Sequence, residues 1–307
     1  MKKVFIDGSA GTTGLRIARR LSERKDIELL QIDESKRKLE SERRNIMNRA
    51  DIVFFCLPDD AAREASGFIE NPATAVIDTS TAHRTDNAWV YGFPELPEQR
   101  EKIKASHRIA NPGCHASGFI ALVAPLTACG VLKDDAKLTC FSLTGYTGGG
   151  KRMIEAYEND ARPLSYESPR QYALSQSHKH LPEMRQFAGL LYEPIFCPVV
   201  ASFPTGMEVT VPLFASQVNA TKREIEEIYQ TFYQTGLIRF SPSADEDGLL
   251  AANALSGTDR MEVSVFGNEE RLILTVRFDN LGKGACGAAI QNMNLLLDID
   301  ETTGLVI

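Results

Sequence analysis

The sequence predicts a two-domain α/β protein, a parallel sheet of βα units followed by an α+β domain with a mixed sheet, and three observations lead there. Short apolar runs recur at residues 2–6, 27–32, 52–57 and 75–77 with polar or helical stretches between them, the rhythm of a parallel sheet covered by helices. Beyond residue 114 the runs lengthen and alternate, at 138–143, 207–218, 261–266 and 272–278, which favours antiparallel pairing. The chain has 307 residues, 43% hydrophobic and 24% charged, enough for two ordinary globular cores.

The first run ends in Asp7 and meets a glycine-rich loop, Gly8-Ser9-Ala10-Gly11-Thr12-Thr13-Gly14, after which Leu15, Ala18 and Leu21 fall at helical spacing over 12–21. Strand, GxxGxxG loop and helix in that order let a backbone approach a pyrophosphate while the helix N-terminus supplies N–H donors. The first domain is therefore expected to be a Rossmann-like dinucleotide-binding domain, with a bulky side chain at Gly11 crowding the pyrophosphate. Ligands of such sheets bind outside the carboxyl ends of strands, which adds the turns at Cys56-Leu57-Pro58 and Asp78-Thr79-Ser80 to the cofactor site. Asp33, after the second run, suits a ribose hydroxyl as in NAD sites, whereas Lys36, Arg37 or Lys38 suits a 2′-phosphate as in NADP sites. These residues leave the choice open.

Asn111-Pro112-Gly113-Cys114-His115 sets one cysteine after a turn and before an apolar helix through 119–123, where a helix N-terminus stabilises a thiolate and its N–H groups hold an oxyanion. A buried structural thiol is the ordinary alternative. His115 is a poor base, because helix neighbours do not face each other. Ser177-His178-Lys179-His180-Leu181-Pro182-Glu183 supplies better ones, and strand alternation would turn His178 and His180 the same way. No cysteine or carboxylate pattern completes a metal site around them. Thr144-Gly145-Tyr146-Thr147-Gly148-Gly149-Gly150-Lys151 reads as an anion nest ahead of a helix over 151–160, and Arg84 offers a fork for a phosphoryl or carboxylate group. A further helix is expected over 221–235. Gly282-Lys283-Gly284-Ala285 opens the last one, through Ile290, Met293 and Leu297, which should return to the first domain.

A net charge of −7, with the bases at 36–38 and 43–44 diluted by acids, argues against nucleic acid as a partner. No apolar run approaches a membrane span, no apolar leader follows Met1, and the six cysteines show no metal spacing, so reduced thiols, a cytoplasmic location and no membrane partner are expected. A mixed sheet with long strands is a plausible subunit interface, so a homo-oligomer, dimer or tetramer, is expected.

These motifs together resemble the shorter type of the N-acetyl-γ-glutamyl-phosphate reductases, in the aspartate-semialdehyde dehydrogenase superfamily. The likeness runs over nearly the whole chain: the glycine loop, Asp78 to Arg84, Tyr91-Gly92-Phe93-Pro94-Glu95-Leu96, the Asn-Pro-Gly-Cys turn, the loop before Lys151, the histidine segment and Asp279-Asn280-Leu281-Gly282-Lys283-Gly284. The histidine segment discriminates most, since aspartate-semialdehyde dehydrogenases share the loop and cysteine but not that pattern. The resemblance implies a cofactor-binding domain at 1–114 and 282–307 and a catalytic and oligomerisation domain at 115–281. It implies NADPH, a small-molecule acyl phosphate substrate and a place in arginine biosynthesis, through a thioester on Cys114 with His180 or His178 as acid/base. Asn280, Lys283 and Gly284 would border the nicotinamide; Arg84, Asn111, Thr147, Gly148 and Lys151 would meet substrate. Thr147 and Lys151 depart from the serine and arginine of longer relatives. The other readings are a reductase of a related acyl phosphate and a catalytically silent NADPH-binding regulator.

Overall fold

Val4, Phe5, Ile6, Ile52, Val53, Phe54 and Phe55 are all buried, as only strands with helices on both faces can be. The computed structural model describes residues 1–234 and 236–307. In chain order the elements are β1 (Lys2–Asp7), α1 (Thr12–Ser22), β2 (Ile27–Leu30), α2 (Glu40–Met47), β3 (Ile52–Phe55), α3 (Asp59–Ser66), β4 (Ala75–Asp78), β5 (Val90–Tyr91), α4 (Gln99–Lys104) and β6 (Arg108–Ala110). There follow α5 (Cys114–Ala128), β7 (Thr139–Gly145), α6 (Gly150–Glu158), β8 (Arg170–Gln171), α7 (Leu181–Phe187), β9 (Ile195–Ala201) and β10 (Met207–Phe214). The last are α8 (Lys222–Phe232), β11 (Ile238–Phe240), β12 (Met261–Gly267), β13 (Arg271–Phe278) and α9 (Gly287–Leu296). The end of the helix expected at 235 lies outside the described residues.

The chain divides into two units, Met1–Pro112 with Ala285–Leu305, and Gly113–Gly284 with Val306–Ile307. Cys114 and residues 282–284, expected with the first unit, lie in the second, where Gly113 bonds to Glu183 and Gly284 packs on Cys114. The first unit is a six-stranded sheet of order β2-β1-β3-β4-β6-β5, every pair parallel. Strand period sorts its side chains onto two cores: Val4, Ile6, Ile52, Phe54 and Ile77 pack with Ile17 and Leu21 of α1 and Ala289, Ile290 and Met293 of α9. Phe5, Val53, Phe55 and Val76 face Met47 of α2 and Ala62 and Ala65 of α3. The expected return of the last helix is thus observed; a π-helical turn, Gly282–Cys286, precedes it.

The second unit is a seven-stranded sheet of order β11-β12-β13-β10-β7-β9-β8. It is mixed: β10 pairs antiparallel with β7 and β13, but β7–β9 and β11–β12 are parallel. The strand expected to reach 218 stops at Phe214 and passes into a 3-10 turn. Met207, Val209, Val211 and Leu213 alternate inward, and α5 lies over them with Gly118 so close that a Cβ there would sit 2.5 Å from Val209. Pro125 inside α5 denies the Ala121 carbonyl its helical donor. The Tyr233 hydroxyl supplies one at 2.7 Å, and Tyr229 donates to the Leu122 carbonyl, so α8 holds α5 in place. A capping box of Thr221 and Glu224 starts α8. No helix among the described residues is long and apolar enough to cross a membrane.

Candidate active site

In the first unit β1 lies between β2 and β3, the point where strand order reverses and where open parallel sheets bind ligands. Gly8, at φ +86°, turns the chain out of β1 so tightly that a Cβ there would lie 2.2 Å from the Cys56 carbonyl oxygen; one at Gly14 would lie 2.6 Å from the Gly8 carbonyl oxygen. A Cβ at Gly11 meets nothing nearer than 3.5 Å. Gly11 is the N-cap of α1, and the positions that the fold itself closes to a side chain are Gly8 and Gly14. No side chain caps α1, so the N–H groups of Thr12, Thr13 and Gly14 begin the helix open to an anion. Beside the loop lies a cleft of about 690 Å³ lined by Gly8, Ser9, Ala10 and Leu57 among others, the size of a nucleotide site. Pro58 is the N-cap of α3. The loop after β4 is held from within: Ser80 gives its N–H and hydroxyl to Asp78, and Nδ1 of His83 lies 2.7 Å from the same carboxylate. These residues fit a dinucleotide.

Arg84 and Asn111 lie inside this unit, 8% and 1% exposed. Arg84 donates through Nε to the Asn111 carbonyl and through Nη2 to that of Thr79; the Asn111 amide donates to the Ala285 carbonyl and accepts from Asn292 of α9. These bonds support the turn that leads into Pro112, with Arg84 buried beneath it.

In the second unit α5 begins at Cys114 itself, half-buried, with Gly113 as N-cap and no acid in the first turn. That is where a helix dipole favours a thiolate. The other thiols differ. That of Cys56 is buried, although the residue is partly exposed, and burial pushes it up to about 12; burial raises Cys140 as well. Cys129 sits at the opposite, negative end of α5. Gly284 backs onto Cys114: a Cβ there would lie 3.0 Å from that of Cys114 and 3.1 Å from the Asp279 carbonyl oxygen. Gly284→Ala should push Cys114 by a few tenths of an ångström and lower kcat roughly tenfold, with thermal stability changed little; steady-state kinetics beside a melting curve checks this.

His178 and His180 are not on a strand, which corrects the alternation argument. Both lie in the turn entering α7: His180 is its N-cap, and its N–H donates to Nδ1 of His178 at 3.2 Å. The two rings meet edge to face at 4.7 Å, and His115 lies 5.5 Å from His180 and 5.9 Å from His178. His115 is committed elsewhere, Nδ1 at 2.7 Å from the Ser142 hydroxyl and Nε2 at 2.6 Å from that of Tyr172; burial and the nearby His178 depress its pKa to about 3, so it stays neutral. Burial, reinforced by the charge of Cys114, raises the Tyr172 phenol, which stays protonated. Glu183, 1% exposed, links the turn before Cys114 to His180: Oε2 accepts from the Gly113 N–H at 3.1 Å and Oε1 lies 4.0 Å from Nε2 of His180.

The glycine-rich loop forms a 3-10 turn over Tyr146–Gly149 ahead of α6. Thr147 donates its hydroxyl to the Pro204 carbonyl at 2.6 Å and accepts from Asn280 at 3.3 Å, while Gly148 sits where a Cβ would be 3.0 Å from that amide. Thr147, Gly148 and Asn280 are thus together, Lys283 is buried at 1% exposure, and Lys151 is exposed. Sequence reasoning missed Glu183, Tyr172 and Ser142. Only Glu183 carried a signal, three residues after His180, the spacing that puts two side chains on one helix face.

Two family models match: the semialdehyde dehydrogenase NAD binding domain over residues 3–106 and the semialdehyde dehydrogenase dimerisation domain over 114–280. The chain is 43% identical to N-acetyl-gamma-glutamyl-phosphate reductase 2 of a Nostoc species over 99% of each chain. It is 44% identical to the N-acetyl-gamma-glutamyl-phosphate reductase of Rhizobium etli over 96% of this chain and 98% of that one. Among solved structures, aspartate semialdehyde dehydrogenase II of Vibrio cholerae shares the fold at a TM-score of 0.71 and 17% identity, covering 97% of this chain and 98% of that one. The Candida albicans enzyme, solved with NADP, does so at 0.69 and 15%, covering 97% and 99%. Domain models over both halves and relatives matched end to end agree, and the chain belongs to the N-acetyl-γ-glutamyl-phosphate reductase family of the semialdehyde dehydrogenases.

Proposed function

We propose that the protein reduces N-acetyl-γ-glutamyl phosphate to N-acetylglutamate γ-semialdehyde with NADPH, as the reductase of arginine biosynthesis. The observation that carries this is Cys114 at the start of α5 with His180 and Glu183 gathered around the same turn. The Cys114 thiolate attacks the acyl carbon, the C–O bond to phosphate breaks, and a thioester remains. A bound reduced nicotinamide supplies the hydride. The thiohemiacetal oxyanion on Cys114 is held by N–H groups of the first turn of α5, and His180 lends it a proton and recovers it as the C–S bond breaks, releasing aldehyde and thiolate. Phosphate-dependent oxidation of N-acetylglutamate semialdehyde with NADP, run beside aspartate semialdehyde, tests the reading. Preference for aspartate semialdehyde would move the protein to the related acyl phosphates, and inertness toward both would leave a nucleotide-binding protein without this chemistry.

The two histidines should separate. Nε2 of His180 faces Glu183, so His180→Asn should lower kcat by about 10²–10⁴-fold and remove one limb of its pH profile, whereas His178→Asn should act mainly on KM. A kcat loss confined to His178→Asn would exchange the roles.

The dimerisation-domain match supports a homo-oligomer, and the sheet face opposite α5 offers the surface. Phe141, Ile195, Pro212, Phe214 and Ile273 are exposed there, with Pro212 paired to Ile273 across β10 and β13. Phe141→Asp with Ile273→Asp should convert the assembly to monomer in sedimentation equilibrium.

A further inference from the structure

Three side chains of the second unit that the mechanism above leaves unused form one hydrogen-bonded line ending beside Cys114. Ser142, on the inward face of β7 and 0% exposed, lies 2.7 Å from Nδ1 of His115, and Nε2 of that ring lies 2.6 Å from the hydroxyl of half-buried Tyr172. Cys114 precedes His115 in the first turn of α5, and Tyr172 is near enough for a thiolate there to act on its phenol. The His115 ring is packed edge to face by Phe196 at 5.2 Å and by His178 at 5.9 Å, with His180 tilted against it at 5.5 Å. Held on three sides, it keeps one orientation.

Proton counting then sets the direction of the line. His115 is neutral, so it brings one N–H and one lone pair to two hydroxyls. The Ser142 hydroxyl has no other partner among the described residues, and if it only accepted from the ring its own proton would be buried without an acceptor. Ser142 therefore donates to Nδ1. The ring proton is left on Nε2 and donates to the Tyr172 oxygen, which leaves the Tyr172 O–H as a donor that no group among the described residues takes up. A hydroxyl that accepts from one neighbour donates more strongly to the next.

We infer that Ser142 and His115 are positioning residues that turn the Tyr172 O–H toward Cys114, where it donates to the sulfur and helps keep the nucleophile a thiolate. The inference rests on Cys114 as the nucleophile and is independent of which acyl group it attacks. The other titratable groups around this turn are His178 and His180, which face the His115 ring, and Glu183, which holds the Gly113 N–H. All three stay in place in the variants that test the line.

The test is the rate at which iodoacetamide alkylates Cys114 in the full-length protein across pH, read at that residue by peptide mass spectrometry with the exposed Cys129 as internal control. Tyr172→Phe should slow alkylation at neutral pH about three- to tenfold and move the rise of the profile to higher pH, with Cys129 unchanged. Ser142→Ala should do the same from the far side of the ring, because the histidine is then free to accept from Tyr172 and the O–H turns inward. A loss in Tyr172→Phe with none in Ser142→Ala would overturn the relay, and no loss in either would overturn the role of Tyr172 with it. The tautomer is also readable in the wild type: the ¹⁵N shifts of His115 should place its proton on Nε2, and a proton on Nδ1 would reverse the line. None of these readouts uses the aldehyde, so inertness toward both semialdehydes would remove the proposed reaction and leave the relay standing.

Discussion

Cys114→Ser is expected to lose turnover by at least about 10³-fold while nucleotide affinity stays unchanged. The substitution changes one atom in a half-buried side chain, so the fold has no reason to respond. What disappears is the thiolate: a serine hydroxyl at a helix N-terminus remains protonated at neutral pH, and the dipole that suffices for a thiol does not suffice for an alcohol. Mass spectrometry of the wild type after one turnover without reductant should find the acyl group on Cys114. An adduct on Cys56 would contradict the burial that pushes that thiol up to about 12, and one on Cys129 would contradict the sign of the field at the end of α5.

Gly8→Ala should be the most damaging single-methyl change in the glycine loop. The backbone stands at φ +86°, where an L side chain is strained by about 1–3 kcal/mol, and the added carbon meets the Cys56 carbonyl at 2.2 Å, so β1 and β3 must part at the crevice where the loop lies. Loss of detectable NADPH binding in calorimetry, with a destabilisation of at least about 2 kcal/mol, is expected. Gly11→Ala, in open contact space, should stay within about 0.5 kcal/mol of the wild type. Similar behaviour of the two variants would show that the loop does not take this course.

The parallel unit was the more legible half. Its strands are buried on both faces and so announce themselves as uninterrupted apolar runs, and β1, β3 and β4 fall close to the runs read from sequence. The second unit was less so because partner choice in a mixed sheet is a long-range decision: nothing in the stretch over β7 says that its neighbour β9 runs parallel to it. At the site, Cys114 was legible because its turn and helix are local. The direction of His178 and His180 was not, since two residues spaced by one read as a strand until Pro182 and the start of α7 turn them into a cap. Ser142 and Tyr172 left no trace, because their meeting with His115 is made by three elements far apart in sequence.

The place of α9 in the first unit has a consequence for the order in which the protein can be made. Ala289, Ile290, Met293 and Leu295 close one of the two cores of that unit, and Asn292, fully buried, bonds the Gly92 carbonyl. On the ribosome the strands of residues 1–112 emerge first, yet their covering helix follows only after all of Gly113–Gly284, a delay of roughly ten to thirty seconds at ordinary rates of elongation. Throughout it the apolar face around Val4, Ile6, Ile77 and Ile109 lacks its lid, while the second unit is being made. The unit whose strands are made first therefore cannot finish folding until α9 follows, and the nascent protein is most prone to aggregate, and most dependent on chaperones, just before that helix is translated.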